Sequence, residues 1–203
     1  MTSSFDVKAK SWDTPQKVER AQAVAAGIKR NLNLTKDMMG FEYGCGTGLL
    51  SVCLYPELAH ITLADSSVGM LEVLQQKIQR DNLAMTPLQL DLMVDPVPTT
   101  RFDLIYTMLT LHHIDDTNRI LQIFYTLLKE QGALCIADLD QEDGSFHSAG
   151  FHGHNGFAQH ELQNLAEQAG FRNIHFETCY SIEKEIADGT IKRFPVFLMV
   201  CNK

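Results

Sequence analysis

The residues of this sequence whose types and spacing indicate chemistry are a glycine-rich turn and three polar residues near the ends of apolar runs. The turn, Gly44-Cys45-Gly46-Thr47-Gly48, directly follows the apolar run that ends at Tyr43. Asp65, Asp91 and Thr107 stand near the ends of later apolar runs. Glycines let a backbone approach a ligand closely, and the helix after such a turn presents free amide groups. A carboxylate at Asp65 suits the two hydroxyls of a ribose and one at Asp91 suits an adenine amino group, so together they predict a nucleoside site. Alone, each aspartate is equally explained as a helix cap or turn residue.

Alternating strands and helices must position these residues. Apolar positions at three- and four-residue spacing from Pro15 to Leu32, with Thr14 as N-cap, predict a helix before the sheet. Near-continuous apolar runs predict buried strands at 38–43, 60–64, 88–90, 102–109 and 133–139. Amphipathic helices are predicted from Leu49, around Met70 and after an N-cap at Thr117. This alternation predicts an α/β fold with a doubly wound, mostly parallel sheet.

The pattern changes after residue 139. Residues 140–157 are polar and rich in Gly and His, which is typical of a functional loop. A helix that ends at Gly170 follows. Two strands at 174–180 and 195–201, on either side of an Asp188-Gly189 turn, are predicted to pair antiparallel.

The turn and its surroundings resemble a known family. Glu42-x-Gly44-x-Gly46-x-Gly48 resembles the E/D-x-G-x-G-x-G first motif of class I S-adenosylmethionine-dependent methyltransferases. The segment from Phe5 to Asp13 is similar to the opening of the branch that contains the ubiquinone and menaquinone biosynthesis methyltransferases. The further matches, in family order, are Leu63-Ala64-Asp65, Leu90-Asp91-Leu92, Phe102-Asp103-Leu104-Ile105 and Leu111-His112-His113-Ile114. Glu130 and Gln131 replace the Pro and Gly of the family's L-K-P-G-G, a departure that affects only a turn.

The resemblance implies a Rossmann-like, three-layer α/β/α fold whose seven-stranded sheet has an antiparallel last strand. It also implies S-adenosyl-L-methionine as cofactor and S-adenosyl-L-homocysteine as product. Glu42 would help to organise the methionine end, because a carboxylate suits ammonium and sulfonium groups and repels pyrophosphate. The candidate cofactor-binding residues are Trp12, Glu42, Gly44, Cys45, Gly46, Thr47, Gly48, Asp65, Ser66, Met70, Asp91, Leu92, Thr107 and Met108.

Two other functions are compatible with parts of the sequence. The segment from Gly40 to Gly46 fits the G-x-x-x-G-x-G pattern of short-chain dehydrogenases, and Tyr125 with Lys129 fits their catalytic pair. Leu49, however, stands where a dinucleotide fingerprint has its third glycine. The second alternative is a regulatory protein that binds the cofactor without turnover.

Composition and charge exclude several classes of protein. The chain has 203 residues, of which 45% are hydrophobic and 21% charged, as expected of one globular domain. Its net charge of -8 disfavours nucleic acid as the partner. Residues 1–36 nevertheless carry seven Lys and Arg against three acids, which keeps an anionic small molecule as a candidate ligand. Five cysteines without a C-x-x-C pair, and the lack of a signal or membrane segment, predict a cytoplasmic protein without membrane insertion. A monomer and a homodimer are both compatible with the sequence.

The acceptor is expected to be a small molecule methylated at oxygen, nitrogen, sulfur or carbon. Residues 107–110 lack the N-P-P-aromatic motif of the amino methyltransferases, and no Pro-Cys pair serves cytosine methylation. A sulfonium carries the reactivity itself, so a dedicated catalytic residue is optional. His112, His113 and His147 are candidate general bases, although each is also explained as a packed histidine.

The remaining predictions concern the loop and the N-terminus. His147, His152 and His154 have metal-ligand spacing but lack a fourth fixed ligand, so no metal is predicted. Phe5 and Trp12 are equally explained as a lid over the cofactor or as a hydrophobic staple of the first helix. We therefore divide one methyltransferase domain into an N-terminal lid (1–36), a cofactor-binding core (37–139) and an acceptor-side segment (140–203).

Overall fold

The strands of the computed structural model, which describes residues 4–148 and 150–203, form one seven-stranded sheet. The strands are β1 (Met39–Tyr43), β2 (His60–Asp65), β3 (Met85–Gln89), β4 (Phe102–Met108), β5 (Leu128–Leu139), β6 (Arg172–Glu185) and β7 (Ile191–Asn202). Their order is β3-β2-β1-β4-β5-β7-β6. Pairs among β1 to β5 are parallel, whereas β7 is antiparallel to β5 and β6. The order reverses between β1 and β4, the position at which open parallel sheets bind ligands.

Helices cover both faces of the sheet, as predicted. They are α1 (Ser4–Lys8), α2 (Pro15–Asn31), α3 (Leu49–Leu54), α4 (Val68–Asp81), α5 (Thr117–Leu127) and α6 (Gln159–Gln168). One core lies beneath α2, α3 and α4 and contains Val24, Leu50 and Leu74. The other lies beneath α5 and α6 and contains Phe124 and Leu162. No helix in the described part of the chain is both long and apolar enough to cross a bilayer.

One of the two predicted helix N-caps is observed and the other is not. Thr14 caps α2 and accepts a hydrogen bond from the Lys17 amide, as predicted. The predicted cap at Thr117 is wrong, because Asp116 caps α5 and accepts from the Arg119 amide at 2.9 Å. Aspartate and threonine are both good caps, and here the Thr117 side chain is buried.

Four strands are longer than predicted by two residues or more. β3 begins at Met85 because it is an edge strand that pairs only with β2, where Pro87 is tolerated. β5 begins at Leu128, which pairs with Phe102 before a shift of register. The hairpin strands β6 and β7 also extend toward their connecting turn and pair from Arg172 to Glu185.

Candidate active site

Three glycines shape the turn between β1 and α3. Gly44, Gly46 and Gly48 have φ values of 69°, 53° and 78°, in the left-handed region that favours glycine. A Cβ on Gly44 would lie 2.2 Å from the Thr110 side chain. A Cβ on Gly46 would meet only Trp12 Nε1 at 3.7 Å and a methionine sulfur at 3.9 Å. The turn is therefore closed at Gly44 and open at Gly46, where a ligand can approach the backbone.

Asp65 lies at the end of β2 and holds this turn. Its Oδ2 accepts from the Gly46 amide at 2.7 Å, and its Oδ1 accepts from the Ser67 amide at 2.8 Å. Burial raises the pKa of Asp65, and these amide hydrogen bonds oppose the shift. Each carboxylate oxygen has a second lone pair, so Asp65 can also accept from ligand hydroxyls.

Asp91 follows β3 and closes a turn at the same edge of the sheet. Its Oδ1 accepts from the Met93 amide at 2.9 Å and from the Tyr43 hydroxyl at 3.3 Å. Leu92 is fully buried, and its amide donates to the Tyr43 hydroxyl at 3.2 Å. Thr107 is also buried, and its Oγ1 has no hydrogen-bond partner among the described residues. Such orphaned buried atoms are rare and indicate a ligand or water position.

Glu42 lies beneath the turn rather than on its surface. The side chain is buried and accepts a hydrogen bond from Ser51 Oγ, which lies 2.6 Å from the Tyr106 hydroxyl. Burial raises the pKa of Glu42 to about 8, and the Ser51 hydrogen bond opposes the shift. Glu42 is therefore mostly protonated at neutral pH, and a cation bound nearby would lower its pKa.

The segment before α2 is fastened across the turn and across α4. Asp13 accepts from Thr47 Oγ1 and forms an ion pair with Lys77, both at 2.5 Å. Lys77 also donates to the Thr47 carbonyl at 2.8 Å. Nearer the N-terminus, Asp6 accepts from Ser67 Oγ at 2.6 Å. These bonds hold residues 5–13 over the carboxyl ends of β1 and β2.

Aromatic rings of this segment face the β4 side of the edge. The ring of Phe5 makes edge contacts with Trp12, at 5.8 Å between centroids, and with His113, at 5.6 Å. The Lys17 ammonium lies 3.2 Å from the centroid of the Trp12 ring. Trp12 thus contacts α2 as a staple would, and it also borders the opening above Gly46.

A buried histidine–aspartate pair lies where β4 and β5 end. His112 Nδ1 is 2.6 Å from Asp138 Oδ1, and both side chains are almost completely buried. Asp138 also accepts from the Leu139 amide at 2.8 Å and from the His112 amide at 3.3 Å. Thr110, two residues before His112, donates to the Gly44 carbonyl at 3.3 Å. The pair is thereby connected to the glycine turn.

Two more histidines complete a cluster of rings around His112. His113 lies 4.2 Å from His112, and His147 lies 5.1 Å from it, measured between centroids. The His147 ring stacks on Phe151 at 3.6 Å, and its Nε2 has no hydrogen-bond partner in the described structure. Burial lowers the pKa of both His113 and His147 to about 4, with a further contribution from His112. Both rings are therefore neutral at pH 7.

The remaining loop histidines do not join this cluster as metal ligands. His154 Nε2 lies 2.9 Å from the Ile114 carbonyl, and the His154 amide donates to the His112 carbonyl at 2.8 Å. A Cβ on Gly153 would lie 2.2 Å from that carbonyl, so the loop packs directly against residue 112. Across residues 4–148 and 150–203, no three His, Cys, Asp or Glu side chains are grouped to hold a metal ion.

A family profile described as "Methyltransferase domain" matches residues 17–176 of the chain. The chain belongs to this family. Its strand order, with β7 antiparallel, is that of the class I S-adenosylmethionine-dependent methyltransferases, which confirms the family and fold predicted from the sequence.

Known proteins similar to this methyltransferase carry related names. An uncharacterized methyltransferase of Schizosaccharomyces pombe is 29% identical over 65% of the chain and 52% of its own length. The malonyl-[acyl-carrier protein] O-methyltransferase of Priestia megaterium is 25% identical over 81% of the chain and 65% of its own length. The ubiquinone biosynthesis O-methyltransferase of Coxiella burnetii is 28% identical over 49% of the chain and 43% of its own length. The chain thus spans about half the length of the curated relatives it matches.

Among solved structures, phosphoethanolamine N-methyltransferase 2 of Haemonchus contortus, in complex with S-adenosyl-L-methionine, superposes with a TM-score of 0.73. It is 16% identical, and the alignment covers 100% of this chain and 60% of that one. The likeness is one of fold.

The structure of the methyltransferase brings most of the predicted cofactor residues to one edge of the sheet. Gly46, Asp65 and Trp12 surround the opening of the turn, and the Met70 sulfur lies beside it. The other predicted residues differ in exposure. The Cys45, Thr47 and Leu92 side chains are buried, Met108 is half-buried and Ser66 is exposed. The dehydrogenase pair is not formed, because Tyr125 packs on Phe171 and Lys129 forms an ion pair with Asp103.

Asp138, the partner of His112, is not among the residues predicted from the sequence. Its signal is an aspartate within the otherwise apolar run 133–139 of β5, since a charged side chain in a buried strand needs a partner. Thr110 and the Ser51–Tyr106 pair were also missed, and hydroxyl residues of this kind have no distinctive spacing in the sequence.

Replacing Asp65 with Ala is expected to weaken the binding of S-adenosylhomocysteine by about 5- to 150-fold, the loss of about 1 to 3 kcal/mol typical of hydrogen bonds to a charged group. Titration calorimetry measures the change. Asp81→Ala is the matched control, because Asp81 ends α4 and pairs with Arg80 on the surface. If Asp65→Ala binds as tightly as the unchanged protein, Asp65 does not bind the ribose.

Proposed function

We propose that this protein transfers a methyl group from S-adenosylmethionine to a hydroxyl oxygen of a small-molecule acceptor, and that His112 receives the hydroxyl proton. The observation that carries the proposal is the buried His112–Asp138 pair, which is connected to the glycine turn through Thr110. Two of the relatives are named O-methyltransferases, which supports oxygen as the methylated atom.

The residues present suit the cofactor. The opening above Gly46 accommodates a ligand, Asp65 retains acceptor capacity for ribose hydroxyls, and Thr107 has an orphaned buried hydroxyl. Asp91 is proposed to receive the adenine amino group at its second carboxylate oxygen. When bound, S-adenosylmethionine supplies an electrophilic methyl group: the carbon–sulfur bond breaks as the oxygen–carbon bond forms, and the electron pair remains on sulfur.

His112 has the arrangement of a general base. Its Nδ1–H donates to Asp138, which leaves Nε2 as the nitrogen that accepts a proton. Nε2 makes no hydrogen bond to the described residues, so it is available to an acceptor hydroxyl. Asp138 is fixed by the Leu139 amide, and its negative charge stabilises the imidazolium that forms. Transfer of the proton to Nε2 makes the oxygen a better nucleophile.

The rings around His112 favour a small, largely apolar acceptor. Phe5, His113, His147 and Phe151 contribute neutral ring faces that contact one another beside His112. Such walls bury an acceptor and exclude water, which protects the reacting atoms from competing hydration. His113 and His147, with their lowered pKa values, are poor general bases and are proposed as wall residues.

Incubation with methyl-labelled S-adenosylmethionine and a panel of phenols, alcohols, carboxylic acids, amines and thiols tests the proposal. The expected result is label transfer to a hydroxyl compound with equimolar S-adenosylhomocysteine, and no transfer when the acceptor is omitted. Preferred transfer to amines or thiols would contradict the chemistry proposed for His112. Tight binding of S-adenosylhomocysteine without transfer to any compound would favour a cofactor-binding protein without turnover.

A further inference from the structure

Two cations stand at the N-terminal end of the buried face of α2. From Ala21 onward this face is apolar and contains Val24 and Ile28, which pack into the core beneath the helix. Lys17 and Arg20 precede these residues at the three- and four-residue spacing that puts side chains on one side of a helix. The buried face of α2 therefore ends in positive charge, close to the carboxyl edge of the sheet.

Arg20 has no anionic partner among the described residues. Its Nε is buried without a hydrogen-bond acceptor, and burial lowers the pKa of the guanidinium. The Tyr180 phenol opposes this shift and raises the pKa of Arg20 electrostatically, and its hydroxyl donates to Glu19. A buried Nε–H without an acceptor is costly, because this donor has lost water without a replacement.

Arg30, three turns further along α2, shows the ordinary arrangement for comparison. Its guanidinium lies 2.9 Å from Glu177, and its side chain is 59% exposed. The same helix thus carries one arginine that is exposed and paired, and one whose Nε is buried and unpaired. The second arrangement leaves a buried donor that a ligand could satisfy.

Lys17 connects Arg20 to the candidate acceptor site. Burial lowers the pKa of Lys17, and the positive charge of Arg20 lowers it further. The Lys17 ammonium lies over the Trp12 ring, which contacts Phe5, and Phe5 contacts His113 in the ring cluster. Lys17 therefore reaches the ring cluster through Trp12 and Phe5, and Arg20 lies about one helical turn further along α2.

We propose that Arg20 and Lys17 bind an anionic group of the methyl acceptor, either a carboxylate or a phosphate. The assignment rests on the function proposed above, since it takes the ring cluster as the acceptor site. An anion here would satisfy the Arg20 donors with the bidentate geometry that a guanidinium offers to carboxylates and phosphates. It would also relieve the repulsion between the two cations.

The test is a binding experiment that requires no turnover. The protein, saturated with S-adenosylhomocysteine, is titrated with benzoate, phenyl phosphate and the neutral isostere benzamide, and binding is followed by ligand-observed NMR. The unchanged protein should bind at least one of the two anions tenfold or more tightly than benzamide. Arg20→Met should abolish this preference, Arg20→Lys should retain part of it, and Arg30→Met should leave it intact.

Other outcomes contradict the assignment. If the unchanged protein does not distinguish the anions from benzamide, no anion subsite exists. If Arg20→Met weakens the binding of S-adenosylhomocysteine but not that of 5′-methylthioadenosine, which lacks the amino acid, Arg20 binds the cofactor carboxylate instead. Arg20-dependent binding to phosphatidylglycerol vesicles without a preference for the anions would indicate a membrane surface. Arg20-dependent anion binding without methyl transfer to any acceptor would contradict the proposed function and leave the anion subsite standing.

Discussion

Replacing His112 with Gln, or Asp138 with Asn, should lower kcat by about 10²- to 10⁴-fold, the contribution usual for a positioned general base. Glutamine has no basic nitrogen at the position of Nε2. Asparagine lacks the negative charge of the carboxylate, and its amide NH2 can donate to Nδ1, so it weakens the preference for the tautomer that leaves Nε2 free. Steady-state kinetics with the acceptor found in the panel measure the effect.

Two observations separate a general base from a residue that only supports the fold. S-adenosylhomocysteine should bind both variants with unchanged affinity, because the pair lies on the acceptor side of the edge. The deficit in kcat should shrink with acceptors whose hydroxyls are more acidic, since these need less help to lose a proton. His113→Gln is the control, with a smaller effect expected for a neutral wall residue. Undiminished kcat in His112→Gln would exclude His112 as the base.

Replacing Glu42 with Gln should stabilise the protein at alkaline pH and flatten its dependence on pH. The ordinary pKa of 4.5 is raised to about 8 in the folded protein, so the folded state holds this proton more tightly than the unfolded state does. The contribution to stability is therefore complete below pH 4.5 and is lost as the pH rises to about 8. Over this range of pH, ionisation of Glu42 lowers the free energy of unfolding by roughly 5 kcal/mol. Glutamine cannot ionise and still accepts a hydrogen bond from Ser51.

Urea denaturation at pH 5, 7 and 9 measures this effect as the difference in free energy of unfolding between Glu42→Gln and the unchanged protein. The difference should grow with pH. Glu57→Gln is the matched control, because Glu57 is 44% exposed beside Lys29 and an exposed ion pair contributes little to stability. A constant difference between pH 5 and pH 9 would mean that Glu42 does not hold a proton in the folded protein.

Much of the cofactor side could be predicted from the sequence. The turn from Gly44 to Gly48 needs left-handed backbone conformations, and Asp65 ends a recognisable apolar strand, so local patterns place both at the same edge. The state of Glu42 could not be predicted. Its position in the motif indicates a charged carboxylate, whereas its protonation depends on the burial that three layers of structure impose.

The choice among the candidate bases of the proposed acceptor site depends on tertiary contacts. The sequence marks three histidines as equivalent candidates, and only the fold brings Asp138, 26 residues away in the chain, to His112. The same packing desolvates His113 and His147 and removes them as bases.

By itself, the sequence determined the family, the alternation of strands and helices, and the edge of the sheet proposed to bind the cofactor, because periodicity and glycine conformation are local properties of a chain. Only the tertiary structure decided which histidine is paired, whether Glu42 is charged and that the buried Nε of Arg20 lacks a partner. Pairing and desolvation depend on neighbours that are distant in sequence, and no local pattern records them.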